Sequence, residues 1–375
     1  MIDPQALREE FMELVRVDSV SLQEGRVAAV VQGKLEALGL EVVRDSACRA
    51  QGGECGNLIA TLPATVPGRP TVMLNAHLDT VQPGCGIEPV CTDGDLICSA
   101  GETILGADDK AGVAIILAGL REIISQQVPH GELQVVFTVA EEIGLHGAQE
   151  LDYSLLSPDY AFVFDGGRQM GTLVVAAPSA AKLKWCVHGV AAHAGVCPEK
   201  GVNAVQIAAE AIAGMRLGRL DEETTANIGI INGGLARNIV PDRCEVSGEA
   251  RSHDEGKLAA QVEQMRECFR QAVDRRAGAR LEEEQQSSYQ RFRLGPEEEV
   301  VQIATRAGES LGLEVVYKTG GGGSDANVFN ARGIPAVICA TGGAEVHTLQ
   351  EQVSVSAMAQ GVQWLVEMVR LSAEG

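Results

Sequence analysis

Two adjacent carboxylates, Glu141 and Glu142, end the apolar run Leu133, Val135, Val136, Phe137, Val139 in the stretch LQVVFTVAEEIG. Neighbouring like charges repel and each raises the other's pKa, so a pair at the end of a core strand calls for something positive beside it. Other apolar runs end in the same manner. TVMLNAHLD closes on His77 and Asp79, two residues apart and therefore on one side of an extended chain. LGADDKAG sets Asp108 and Asp109 directly before a helix, YAFVFDGG reaches Asp165, and GGAEVHTLQE carries His347 after the strand around AVICA. Singly, each has an ordinary explanation: an aspartate before a helix caps it, a glutamate pair sits on the surface, a histidine is held in a structural hydrogen bond. Five separate strand ends bearing ligand-type side chains point instead to one shared site.

Charge counting says what that site would hold. Asp108, Asp165 and Glu142 bring three negative charges, and His77 and His347 are neutral ligands. Two divalent cations bring four positive charges, leaving room for a hydroxide and one further carboxylate. Imidazole and carboxylate donors without a thiolate suit zinc, with cobalt or manganese as alternatives. Two metals a few ångströms apart need a bridging carboxylate, and hydrolysis needs a second, unligated carboxylate to take a proton from the bridging water.

Such residues converge only if the strands that carry them run side by side, since ligands of open α/β sheets bind beyond the carboxyl ends of the strands. The segments NLIATL, TVMLNAHL, a helix from about Lys110 to Ile124, LQVVFTVA and YAFVFDGG alternate strand and helix, which predicts a doubly wound, mainly parallel sheet. Residues 178–293 follow another rhythm: strand AKLKWCVHG, helix NAVQIAAEAIAGM, strands ANIGIINGG and CEVSGEARS, a helix over 257–275, and strand ARLEEEQQ. That β-α-β-β-α-β order is the ferredoxin-like α+β plan. The helix and strand alternation resumes from GPEEEVVQIATRAGESLGLEVVY. The expected organisation is a catalytic α/β domain in two parts, 1–177 and 294–375, with an inserted domain at 178–293. The acidic triplets at 282–284 and 297–299 read as solvated surface near the junction.

Composition narrows the partners. A chain of 375 residues that is 45% hydrophobic is long enough for two cores. Its 30 Lys and Arg against 51 Asp and Glu give a net charge of −21, which disfavours nucleic acid and anionic membranes. The N-terminus reads as a capped helix, Asp3 then Pro4 with Leu7, Phe11, Leu14 and Val15 at helical spacing, and no signal peptide or transmembrane run is read. Ten cysteines without a C-x-x-C pair suggest reduced thiols in the cytoplasm. The loop TGGGGSDAN has neither the G-K-[ST] ending of a P-loop nor G-x-G-x-x-G spacing, which argues against a nucleotide. Ser324 and Asp325 are expected to cap the helix after it.

The motifs HLDTV, GADDKAG, EEIG, HAG, RNIVPD and GGGSDAN stand in the order found in the co-catalytic di-zinc metallopeptidase family that includes peptidase T, carboxypeptidase G2, aminoacylase-1 and succinyl-diaminopimelate desuccinylase. The sequence resembles that family over nearly its whole length, and its peptidase T-like members most. By resemblance, His77 and Asp165 hold one metal, Glu142 and His347 the other, and Asp108 bridges both. Asp79 is implied to orient His77, Glu141 to act as general base, and the Asp108–Asp109 peptide to be cis. The resemblance also implies a homodimer through the inserted domain. There His193 reaches the partner's site to stabilise the oxyanion, Asn238 contacts the carbonyl under attack, and Arg251 forks onto the substrate carboxylate. Aspartate at position 165 is the residue usual in members acting on peptides with a free amine, which implies an aminopeptidase on short peptides. A deacylase of N-acyl amino acids on the same site stays open, as does a metal-binding dimer without turnover.

Overall fold

The computed structural model describes residues 2–374 and divides into two compact units. The first comprises residues up to Ala176, Phe292–Gly320 and the chain from Ser324 onward; the second is Ala177–Arg291 with Gly321–Gly323. Phe292–Arg293 pairs into the sheet of the first unit, so the second unit ends two residues earlier than the helix and strand rhythm suggests. The short glycine segment belongs to the second unit although its flanks belong to the first.

The first unit is built on a large sheet. Its centre is four parallel strands in the order Leu133–Thr138, Val72–His77, Tyr160–Gly166 and Ala336–Ala340. All six residues of Val72–His77 and of Leu133–Thr138 are buried, as expected of strands covered by helices on both faces. Antiparallel strands flank this centre: Leu58–Leu62 and Glu41–Arg44 on one side, Thr172–Ala177 on the other. The strand Val72–His77 is followed in the chain by Leu133–Thr138 on one side and then Tyr160–Gly166 on the other, so the connections part at its carboxyl end.

Helix Ala107–Ser125 packs beneath the sheet with apolar residues on all sides, including Val113, Ile116, Leu117 and Leu120. Asp108 and Asp109 at its start depart from helical geometry, so the regular helix begins near Lys110. Asp3 caps the first helix, Pro4–Val15, by accepting the Gln5 N–H at 2.9 Å, with Pro4 in its first turn. A small sheet of Pro89–Thr92, Leu96–Ser99, Gln352–Ser354 and Gly343–Ala344 has no counterpart among the sequence expectations, because its strands are only two to four residues long.

The second unit has the ferredoxin-like plan. Its four long strands lie in the order Thr224–Gly233, Arg243–Ser252, Ser179–His188, Arg280–Tyr289, all antiparallel. Helices Ala204–Ala213 and Glu255–Asp274 cover one face, where Trp185 stacks on Phe269 with ring centroids 4.5 Å apart. The triplet Glu282–Glu284 lies within an edge strand, and Glu283 pairs with Arg266 and Arg270 of the covering helix. Among the described residues no helix is long and apolar enough to cross a membrane, and all ten cysteines are free thiols.

Candidate functional site

At the carboxyl end of strand Val72–His77, the His77 ring is almost fully buried. Its Nδ1 lies 3.1 Å from the backbone carbonyl of Asp79 and 3.5 Å from the Asp79 carboxylate, which turns Nε2 toward Asp108 Oδ1 at 3.1 Å. The Asp79 carboxylate is engaged more closely elsewhere. Its oxygens accept the backbone N–H groups of Glu141 at 2.9 Å and Glu142 at 3.1 Å, and the Ser21 hydroxyl at 2.6 Å.

Asp108 divides its two oxygens. Oδ1 faces His77 Nε2, while Oδ2 lies 3.3 Å from His347 Nε2, which is itself 2.9 Å from Glu142 Oε1. Asp165 Oδ1 lies 4.0 Å from His77 Nε2. Two groups of nitrogen and oxygen donors result, His77 with Asp165 and His347 with Glu142, and Asp108 is common to both. The Asp108–Asp109 peptide is cis. Asp109 accepts the N–H of His77 at 3.2 Å and of Gly112 at 3.1 Å, and its carboxylate also lies within 4.8 Å of donor atoms of His77 and Asp165. It ties the helix start to the strand end. A Cβ on Gly112 would lie 2.1 Å from the Phe164 carbonyl oxygen, so glycine is what lets the helix approach the residue before Asp165.

The electrostatics are those of too many carboxylates in too little water. Burial drives Asp165 up to about 8, with the Asp108 charge adding to it. Burial likewise carries Glu141 well above its ordinary value, reinforced by Asp165, Asp325 and Glu142. Burial would raise Asp108 too, but hydrogen bonds from His347 and His77 hold it below the usual carboxylate range. Hydrogen bonds to Asp108 and Glu142 push His347 up to about 10. Two imidazoles carrying protons partly balance this cluster, and a pair of divalent cations would do so more completely. Imidazole and carboxylate donors without sulfur fit such ions: His77, Asp108 and Glu142 in one group, and His77, Asp109 and Asp165 in another, bring their donor atoms within 4.8 Å of one another, and His347 adjoins Asp108 and Glu142. Among the described residues, the Glu141 carboxyl takes no hydrogen bond and no ion pair, unlike that of its neighbour Glu142.

Several residues that organise this site carry no motif. Glu351 is buried, and its carboxylate accepts the N–H groups of Leu105 and Gly106, each at 2.7 Å, and of Asp108 at 3.0 Å. It lies four residues after His347, so one short segment supplies a histidine and braces the loop of the shared aspartate. A second brace comes from the connection after the first helix. Ser19 accepts from the buried Lys110 ammonium at 2.6 Å, Ser21 donates to Asp79, and Glu24 accepts the Ala140 N–H at 2.9 Å. Ala140 has φ 52°, a left-handed conformation costly for a residue with a Cβ, directly before the glutamate pair. The Ser324 capping box forms with Asn327, not with Asp325. Asp325 is buried and its carboxylate bonds to Thr138, because the helix start faces the end of that strand.

The remaining residues singled out in the sequence lie in the second unit. His193 pairs with Ile239 in an isolated bridge, the N–H of Ala194 donates to the Asn238 carbonyl at 3.0 Å, and His193 Nδ1 accepts the Gly195 N–H at 3.1 Å. His193 and Asn238 thus stand on adjoining loops. Arg251 forks onto Glu249 with bonds of 2.9 and 3.0 Å. Gly323 packs against the Tyr289 ring, where a Cβ would lie 2.3 Å from the ring carbon Cζ.

Comparison with known proteins places the chain among peptidases. The model of peptidase family M20/M25/M40 matches residues 73–371. The chain is 39% identical over 374 residues to the uncharacterized protein YqjE of Bacillus subtilis, covering 100% of each. It is similar to the structure of a tripeptidase from Staphylococcus aureus, with TM-score 0.92, 39% identity and 100% of each chain covered. It is also similar to that of aminopeptidase PepT from Bacillus cereus, with TM-score 0.86, 43% identity and 99% of each chain covered.

Proposed function

The chain belongs to peptidase family M20/M25/M40, and from that premise we propose that it is a metal-dependent aminopeptidase releasing the N-terminal residue of short peptides, tripeptides among them. The observation that carries the reading is Asp108, whose two oxygens face two histidines from distant parts of the chain. In this reading His77 and Asp165 hold one divalent ion, Glu142 and His347 the other, and Asp108 both, with zinc the best match to the donors. When bound, such ions lower the pKa of a water toward neutrality and polarise a substrate carbonyl. Glu141 accepts the proton of the attacking water and passes it to the leaving amine. Its carboxyl, without a hydrogen bond or ion pair among the described residues, is free for both transfers. Asp79 holds the backbone of both glutamates, so that one points to the ions while the other stays unligated.

The second unit supplies substrate contacts in this reading. His193 stabilises the developing oxyanion across a homodimer, Asn238 contacts the scissile carbonyl, and Arg251, oriented by Glu249, receives the peptide carboxylate. The exposed apolar residues Val196, Ile230, Ile231, Leu235 and Ile239 support an interface on this unit. A cytoplasmic location agrees with ten unpaired thiols. The tests are direct. Di-, tri- and tetrapeptides, free and N-acetylated, are assayed after chelation and after restoration with zinc, cobalt or manganese. Activity that survives complete chelation overturns the metal-dependent mechanism, and preference for acetylated substrates replaces the aminopeptidase with a deacylase. Mixing Glu141→Gln and His193→Ala proteins should restore partial activity only if sites are shared between subunits.

A further inference from the structure

The second unit contains a group of donors that the hydrolytic site does not use. Cys186 and His188 are two apart on strand Ser179–His188 and so share a face of the sheet. Glu282 of strand Arg280–Tyr289 stands directly across from Cys186. Their ligand atoms all lie within 4.8 Å of one another. A tetrahedral zinc spaces its ligand atoms roughly 3.5 Å apart, so rotamer adjustment without backbone movement would close them onto one ion.

We propose that Cys186, His188 and Glu282 form a separate zinc site that staples the first strand of the second unit to its last. The mixed sulfur, nitrogen and oxygen set is one that zinc accepts and that magnesium or calcium does not. The side chains already face one another. His188 Nε2 lies 3.2 Å from Glu282 Oε2. Arg280 takes the other oxygen of Glu282, which leaves Oε2 turned toward the imidazole. Glu245 lies across from Cys186 on the opposite side and is occupied by Arg243 at 2.6 Å. A ladder of Arg243–Glu245 and Arg280–Glu282 pairs alone would need neither a thiol nor an imidazole between them. Burial raises the Cys186 thiol, so zinc uptake releases its proton.

The test uses the full-length protein and does not depend on its activity. Cobalt titration of the parent should develop the near-ultraviolet sulfur-to-cobalt charge-transfer absorption, which an all nitrogen and oxygen site cannot produce. Cys186→Ser should abolish that band and lower zinc stoichiometry by one equivalent per chain, with peptidase activity unchanged. His188→Ala should weaken the same equivalent by at least 10-fold and leave the cobalt content of the hydrolytic site intact. Zinc should also raise the melting temperature of the parent more than that of Cys186→Ser. A thiolate band that persists in Cys186→Ser, or a stoichiometry equal in parent and variant, overturns the proposal. Failure of the hydrolytic reading would instead appear as loss of the equivalents that Cys186→Ser retains.

Discussion

Asp79 accepts the backbone N–H of Glu141 at 2.9 Å through Oδ1. Its second oxygen accepts the N–H of Glu142, and Ser21 donates to that oxygen as well. A single buried carboxylate therefore sets the turn that presents two glutamates in different directions. Removing it with Asp79→Ala strips both N–H groups of their partner and should lower kcat/KM and metal affinity by about 10- to 100-fold. Asp79→Asn, which keeps one acceptor, should fall between parent and alanine variant. Equal metal affinity in all three proteins would show that the turn holds itself.

Glu141 and Glu142 are neighbours with separate tasks in the proposed mechanism. Glu141→Gln should lower kcat by roughly 10²- to 10⁴-fold and leave metal content at the parental value. Glu142→Gln should instead lose metal in equilibrium dialysis. Near-parental turnover by a fully loaded Glu141→Gln protein would remove Glu141 from the role of base.

Glu351 offers the N–H groups of Leu105, Gly106 and Asp108 a charged acceptor with two oxygens. A glutamine has only one acceptor oxygen, so Glu351→Gln leaves at least one of these buried donors unmet, at about 1–3 kcal/mol. The melting temperature of the metal-free protein should fall, and zinc affinity should weaken about 10- to 100-fold as the Asp108 loop loosens. An unchanged zinc isotherm would make Glu351 a matter of stability alone.

Glu24 is fully buried, and burial lifts it from 4.5 to about 7, with the charge on Asp79 contributing. Its acid pKa is higher in the folded chain than in the unfolded one. Between those values the folded state keeps a proton that the unfolded state has released, so stability falls as pH rises from about 4.5 to about 7. The carboxyl contributes up to roughly 3 kcal/mol to that fall. Glu24→Gln preserves the acceptor for Leu22 and Ala140 and removes the titration. Denaturant unfolding at about pH 5 and about pH 8 should show a smaller loss of stability in the variant. The same loss in both proteins would assign the pH dependence to other acids.

Much of this molecule is legible locally. The buried strands Val72–His77, Leu133–Thr138 and Tyr160–Gly166 read as continuous apolar runs, and the break at each carboxyl end brings in an ionisable side chain of the candidate site. The ferredoxin-like unit follows from the order of its strands and helices, since few topologies accommodate that order. The small sheet of two- to four-residue strands and the true acceptors of Asp79 and Asp325 have no such local signal.

What the sequence by itself determined is the type and order of the long elements and the imidazole and carboxylate side chains gathered at their strand ends, because apolar periodicity and strand-end chemistry are properties of consecutive residues. Tertiary structure alone decided that Asp108 faces His77 with one oxygen and His347 with the other. It alone decided that Glu351 braces a loop 243 residues earlier in the chain and that Ser19, Ser21 and Glu24 brace three more points. These are bonds from side chains to groups far away in sequence, often to backbone N–H groups. Every non-proline residue carries the same N–H, so no residue type announces which one a distant carboxylate will meet.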